Sequence, residues 1–205
     1  MSIKLIYWLP WASKVPTIAQ CLKRSEELLS VSDSAELDIQ LLLAYCVQQS
    51  RTFLMTWPER ELTAAQLSAF DNLVERRKQG EPIAYLIEQQ GFWSLDLRVL
   101  PTTLIPRPET ELLVEQALVF LSAKPLSKVL DLGTGSGAIA LAMAKELPAA
   151  RVLGVDVDHG SIALAKDNAV RNNIGNVSFK QSSWYGELSG SFDIIVSNPP
   201  YIAAD

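Results

Sequence analysis

The chain has 205 residues, a formal net charge of −5 and 48% hydrophobic residues. That length allows one large domain, or a small one and a medium one, and that hydrophobic content excludes a disordered chain. The acidic balance excludes a protein that holds a polyanion through bulk charge.

Residues 1–16 read as an N-terminal extension. The apolar run "LIYWLPWA" is too short to span a membrane, contains Pro10 and is followed by no small-x-small cleavage site. Residues 17–80 predict a small helical bundle. "TIAQCLKRSEELL" and "DSAELDIQLLLAYCVQQ" carry apolar residues at helical spacing, the second with Asp33 and Glu36 in a capping-box arrangement. Thr63 and Gln66 repeat that arrangement before "AAQLSAFDNLVERRKQ", and Gly80 supplies the stop. The basic cluster Arg76-Arg77-Lys78 fits the last turn of this helix, where cations suit the dipole. Cys21 and Cys46 have no metal spacing and read as reduced core residues of a cytosolic protein. The single histidine, His159, has no ligand partners, so no metal site is expected.

Residues 81–100 are rich in β-branched and aromatic residues around Gly91 and predict a hairpin linking two domains. Residues 101–205 predict a parallel sheet with crossover helices. A proline-rich loop leads into "ETELLVEQALVFL", with Pro108 at the first turn and Glu109 and Glu111 at the positive helix end. Then strands "KVLDLG", "RVLGVDVD", "VSFKQ" and "FDIIVS" alternate with helices "GAIALAMAKEL" and "SIALAKDNAVRNN".

Two stretches carry chemistry. In "DLGTGSG", Gly133, Gly135 and Gly137 lie between a strand and a helix, with Thr134 and Ser136 between them. Glycine permits a tight turn and close approach of a ligand to the backbone. The spacing is not that of a dinucleotide fingerprint, and no Gly-Lys-Ser/Thr follows, so the ligand need not carry phosphate. Asp156 ends the next strand, where a carboxylate can accept hydrogen bonds from ribose hydroxyls. The turn resembles motif I of S-adenosylmethionine-dependent methyltransferases.

The second stretch is "NPPY". "FDIIVS" should lie beside the first strand, and ligands of open α/β sheets bind outside the carboxyl ends of strands. Asn198 through Tyr201 then lie next to the cofactor's methyl group, with Asn198 facing both cofactor and acceptor. An amino nitrogen conjugated to a carbonyl or a ring is a poor nucleophile. Asn198 can accept one of its N–H bonds and the Pro199 carbonyl another, while Pro200 stiffens the loop and Tyr201 stacks on the planar acceptor. Catalysis by Asn198, Pro199 and Tyr201 is then positioning and electrostatics. Two acceptor classes use this chemistry, amino groups of nucleic-acid bases and side-chain amides of proteins. The motif does not separate them. The acidic charge and the non-basic helical domain weigh against a base-flipping enzyme.

The whole order resembles the peptide chain release factor N(5)-glutamine methyltransferases, the HemK/PrmC family. The likeness rests on "GEPIAYL", "GFWSLDLRV", "LIPRPETELLVE", "VLDLGTGSGAIALA", "GVDVD" and "NPPYI", and runs from about Thr17 to the last residue. It implies a Rossmann-like class I methyltransferase sheet with a small N-terminal helical bundle. The implied activity is methyl transfer from S-adenosylmethionine to the glutamine of the Gly-Gly-Gln motif of release factors. The helical domain then helps hold the release factor, in a cytoplasmic monomer without metal, nucleic acid or membrane. It implies cofactor binding by Gly133 to Gly137, Asp156 and Trp184, and glutamine binding by Asn198 to Tyr201. Arg107, Glu109 and Thr110 of the proline-rich motif help shape the site. Against this, Trp184 also reads as core packing and Arg107 to Thr110 as an ordinary helix start. Ser183 stands where many relatives have aspartate.

The class I sheet has roughly seven strands and four are visible here. The sequence therefore predicts a C-terminally truncated, incomplete sheet with one apolar edge uncovered, which keeps much of the cofactor pocket and leaves the activity open, down to little or none. A nucleic-acid (adenine) methyltransferase and a non-catalytic fragment that only binds cofactor or partner are the alternative readings.

Overall fold

The computed structural model describes residues 15–186 and 188–199. The N-terminal extension up to residue 14, and Pro200 and Tyr201 of the second motif, lie outside the described residues. The chain divides into two compact units between Ile87 and Glu88.

The first unit is helical: α1 (Ile18–Leu22), a 3-10 helix (Lys23–Leu28), α2 (Ala35–Val47), α3 (Arg51–Thr56), α4 (Ala64–Lys78) and α5 (Ile83–Leu86). Local chemistry sets the ends. Thr63 and Gln66 form the expected capping box at the start of α4, and Thr17 and Gln20 form another at α1. Each box satisfies two backbone N–H groups that a helix start leaves unpaired. The cap of α2 is Ser34 rather than the expected Asp33. Ile39, Leu42, Leu43, Leu54, Phe70 and Val74 are fully buried and form this unit's core. A core phenylalanine such as Phe70 is worth about 3–5 kcal/mol against alanine. Asp38 is buried too, and its charge is paired with the Arg77 Nε at 2.8 Å. Burial pushes the thiols of Cys21 and Cys46 up, that of Cys46 to about 11, so both are poor nucleophiles at neutral pH.

The hairpin expected over 81–100 is shorter than the sequence predicts. Its first part is α5, whose Leu86 packs into the helical core with Ile83 and Ile87. Only β1 (Gln90–Phe92) and β2 (Leu95–Leu97) pair, antiparallel, and they belong to the second unit. Proline at 82 fixes an extended entry and Ile-Ala-Tyr-Leu completes one helical turn, so burial overrides the β-branched composition.

The second unit continues with α6 (Glu109–Leu121), β3 (Lys128–Leu132), α7 (Ala138–Glu146), β4 (Arg151–Asp156), α8 (His159–Arg171), β5 (Val177–Gln181) and β6 (Ile194–Ser197). The sheet order is β5-β4-β3-β6, all parallel. β3 pairs with β4 in the register Leu130 to Leu153 and with β6 in the register Leu130 to Ile195. Successive residues of β3 face opposite sides. Val129 joins the core built on α6, α7 and α8, and Leu130 joins a smaller cluster with Val155. Such two-sided burial explains why β3 is apolar at Val129, Leu130 and Leu132 on both faces, with Asp131 the buried exception. Among the described residues β6 pairs with β3 alone, and Ile195 is partly exposed. Among the described residues no helix is long and apolar enough to cross a membrane, and no acid, cysteine and histidine cluster could hold a metal ion.

The chain runs from β3 outward to β4 and β5, then returns to the other side of β3 for β6. The strand order therefore reverses between β3 and β6. Crossovers leave on opposite sides at that point and open a crevice at the carboxyl ends of the strands.

Candidate functional site

A cavity of about 420 Å³ opens at this crevice. Its lining includes Gly133 and Gly135 after β3, Asp156 after β4, Ser183 and Trp184 after β5, and Asn198 and Pro199 after β6. The four strand ends named from sequence thus converge on one place. Its volume lies within the roughly 300–1,000 Å³ of small-molecule sites.

The turn after β3 has left-handed backbone at Gly133 (φ 69°), Gly135 (φ 53°) and Gly137 (φ 85°). A Cβ at Gly133 or Gly135 would meet no protein atom within 4 Å, so the protein itself does not demand that space. At Gly137 a Cβ would lie 3.1 Å from the Ala165 Cβ, so this glycine serves the packing of α7 against α8. Thr134, Ser136 and Gly137, expected to bind the cofactor, do not line the cavity. The Thr134 hydroxyl donates to the Asp131 carboxylate at 2.7 Å, and its N–H donates to the Val155 carbonyl at 2.9 Å. Thr134 holds the turn rather than lining it.

Asp131 is fully buried. Its Oδ2 accepts from Thr134 and from the N–H of Ala140 in the first turn of α7, at 3.2 Å. Its Oδ1 has no hydrogen-bond partner among the described residues. Burial pushes its carboxyl up to about 7, against the pull of these two donors, and the neighbouring Asp156 charge adds to the rise.

Asp156 holds the other side of the turn. Its Oδ2 accepts from the Gly135 N–H at 2.9 Å and its Oδ1 from the Asp158 N–H at 3.0 Å. Each oxygen has capacity for a second hydrogen bond, and the residue lines the cavity. Asp158 caps α8 through Ser161, and those bonds hold its carboxyl below the usual range. Trp184 is 61% exposed with φ 51°. It is a cavity wall, and the core-packing alternative fails. Ser183 lines the cavity beside it.

Asn198 bounds two spaces. Besides the main cavity it lines an adjacent depression with Arg107, Glu109, Thr110, Leu113 and Ser197. Its Nδ2 donates to the Thr110 Oγ1 at 3.0 Å. That bond orients the amide, whose Oδ1 is an acceptor. Arg107 and Glu109, predicted to shape the site, stand around this depression and not in the main cavity.

Sequence reasoning missed three features. The stretch Thr102 to Leu104 forms a wall of the cavity; only Leu104 belongs to a quoted motif, and nothing in that motif marks it as a cavity residue. Gly154 in β4 had one: an isolated glycine in a strand marks close approach of another group. A Cβ there would lie 2.7 Å from the Phe179 ring and from the Thr134 hydroxyl. Asn168, buried in α8, donates to the Ser136 carbonyl behind the turn at 2.9 Å.

Comparison with known proteins places both units in described families. The PrmC N-terminal domain family matches residues 20–87, and the methyltransferase small domain family matches residues 108–205. The release factor glutamine methyltransferase of Pseudomonas aeruginosa is 51% identical over 92% of this chain and 67% of its own length. That of Aliivibrio fischeri is 52% identical over 91% of this chain and 66% of its own. That of Salmonella typhimurium is 53% identical over 84% of this chain and 62% of its own. The chain thus spans about two thirds of the length of these relatives, and somewhat less for some of them.

Proposed function

Because this chain belongs to the release factor glutamine methyltransferase family, we propose that it moves a methyl group from S-adenosylmethionine to a glutamine side-chain amide. The acceptor is the glutamine of the Gly-Gly-Gln motif of a peptide chain release factor. One observation carries this reading: Asn198 borders both the main cavity and the adjacent depression, where a cofactor and an acceptor entering separately would meet.

The residues present fit the cofactor. Gly133 and Gly135 leave open space where a side chain would stand. Asp156 offers two carboxylate lone pairs for ribose hydroxyls, and Trp184 offers an exposed ring for a purine. Bound there, S-adenosylmethionine supplies a methyl group on a cationic sulfur, an electrophile whose leaving group is neutral.

The protein's work is on the acceptor. An amide nitrogen donates its lone pair into its own carbonyl and attacks poorly. The Asn198 Oδ1, oriented by Thr110, accepts one of its N–H bonds, and the Pro199 carbonyl accepts the other. Held by both hydrogens, the nitrogen loses rotational freedom and points at the electrophile. To Pro200 and Tyr201, which lie outside the described residues, the sequence reading assigns stiffening of the loop and stacking on the acceptor. The helical unit helps hold the release factor, and the acidic chain favours a protein acceptor over a nucleic acid.

The test is calorimetric titration of the chain with S-adenosylmethionine, followed by transfer of labelled methyl to a release factor. Saturable binding is expected, weakened at least about tenfold in Asp156→Ala, since two charge-assisted bonds are lost. Label should enter the release factor and not a variant whose Gly-Gly-Gln glutamine is replaced. A folded chain that binds no cofactor, or label entering DNA or RNA instead, would overturn the reading.

A further inference from the structure

Two asparagines four residues apart, Asn168 in α8 and Asn172 at its C-terminal cap, clip the extended chain that leaves the hairpin. Asn172 Oδ1 accepts from the Asp96 N–H at 3.1 Å, and its Nδ2 donates to the Asp96 carbonyl at 2.9 Å. Asn168 Oδ1 accepts from the Arg98 N–H at 2.7 Å, and its Nδ2 donates to the Arg98 carbonyl at 2.9 Å. The spacing is a geometric match. Four helical residues rise about 6 Å and two strand residues about 6.6 Å, so side-chain amides four apart meet alternate backbone positions. Each amide thus replaces one residue of a missing neighbouring strand.

The two clips differ in one respect. The remaining N–H of Asn172 stays within its own helix, on the Asn168 carbonyl at 2.9 Å. The remaining N–H of Asn168 crosses to the Ser136 carbonyl in the glycine turn, at 2.9 Å. Asn168 is fully buried, and its three contacts are the ones an amide of that orientation can make with one acceptor oxygen and two N–H groups. A few residues beyond Arg98 the same backbone turns through a bond from the Thr103 N–H to the Leu100 carbonyl, and Thr102 to Leu104 become a cavity wall. Gly133 and Gly135 line the same cavity.

We propose that Asn168 is a positioning residue for the cofactor cavity, setting the distance between the Thr102 to Leu104 wall and the glycine turn. This rests on the cofactor reading above. It predicts that the two asparagines, equivalent as structural clips, are unequal toward the ligand. In Asn168→Asp the acceptor for Arg98 remains, but a carboxylate oxygen replaces the donor and faces two carbonyls, those of Arg98 and Ser136. The walls must then part. In Asn172→Asp the mismatch falls on Asp96 and within α8, away from the cavity.

The experiment is calorimetric titration of wild type, Asn168→Asp and Asn172→Asp with S-adenosylmethionine, with thermal melts of each. Both variants should melt lower than wild type. Affinity should fall roughly tenfold or more in Asn168→Asp and change no more than about twofold in Asn172→Asp. Equal losses in the two, or unchanged affinity in a folded Asn168→Asp, overturn the proposal. Absence of binding by folded wild type is a different result: it refutes the cofactor reading, and this proposal with it. A second measurement needs no variant. Hydrogen exchange on wild type should show saturating cofactor protecting the Arg98 amide more than the Asp96 amide. Equal protection of both overturns the proposal even if Asn168→Asp fails to fold.

Discussion

Asp131 and Thr110 show how single side chains set up the site without lining the main cavity. The Asp131 carboxyl, pushed up to about 7 by burial, is protonated over a wider range in the folded chain than in the unfolded one, where it titrates near 3.9. Between these values the folded state binds more protons, so this residue's contribution to stability falls as pH rises from about 4 to about 7 and is level above that. Asp131→Asn removes the titration. Melting temperatures should show the variant gaining on wild type from pH 5 to pH 7, with the difference constant at higher pH. A difference that does not change with pH would refute this. Thr110 was legible from the proline-rich motif, but its bond to Asn198 was not, because the two are far apart in sequence. Thr110→Val should lower methyl transfer at saturating cofactor about tenfold and leave cofactor affinity unchanged, as expected for one lost orienting bond at a reacting group. Thr110→Ser should restore transfer. Weaker cofactor binding in Thr110→Val would count against a role confined to the acceptor.

At the scale of elements, the strands and helices from residue 127 onward were legible because each carries its own signal: a short apolar run, a glycine break, a helical stripe. β3, α7, β4, α8, β5 and β6 all form where the pattern places them. The hairpin was less legible. β-branched composition does not distinguish a strand from the helical turn that buries Leu86. Gly154 marks an element whose sequence held a signal that reasoning passed over. Gly154→Ala should cost about 1–3 kcal/mol by overpacking, read by chemical denaturation of the second unit. The loss should extend to cofactor affinity, since the inserted methyl also displaces the Thr134 hydroxyl that braces the glycine turn. Stability equal to wild type would mean that the Phe179 ring moves aside freely.

For the whole molecule, the two units have separate hydrophobic cores, and among the described residues the main cavity is lined from 102–199. A fragment of residues 88–205 should therefore fold and bind S-adenosylmethionine within about threefold of the intact chain, as sites without shared partners behave additively. It should transfer methyl to a release factor far more poorly, since the helical unit is assigned to holding that substrate. Titration and label transfer on the fragment separate the two. Loss of cofactor binding would place part of the site's stability in the helical unit. The division of labour by residue type was readable along the chain: glycines for the turn, a carboxylate after the next strand, Asn-Pro-Pro-Tyr after the last. Sequence alone determined these, because each is a local pattern whose chemistry depends on its immediate neighbours. Only the tertiary structure decided which residues brace the site. Asn168 against Ser136, Thr110 against Asn198 and Gly154 beneath Thr134 are contacts between segments far apart in sequence, and their partners are chosen by packing, which no local pattern records.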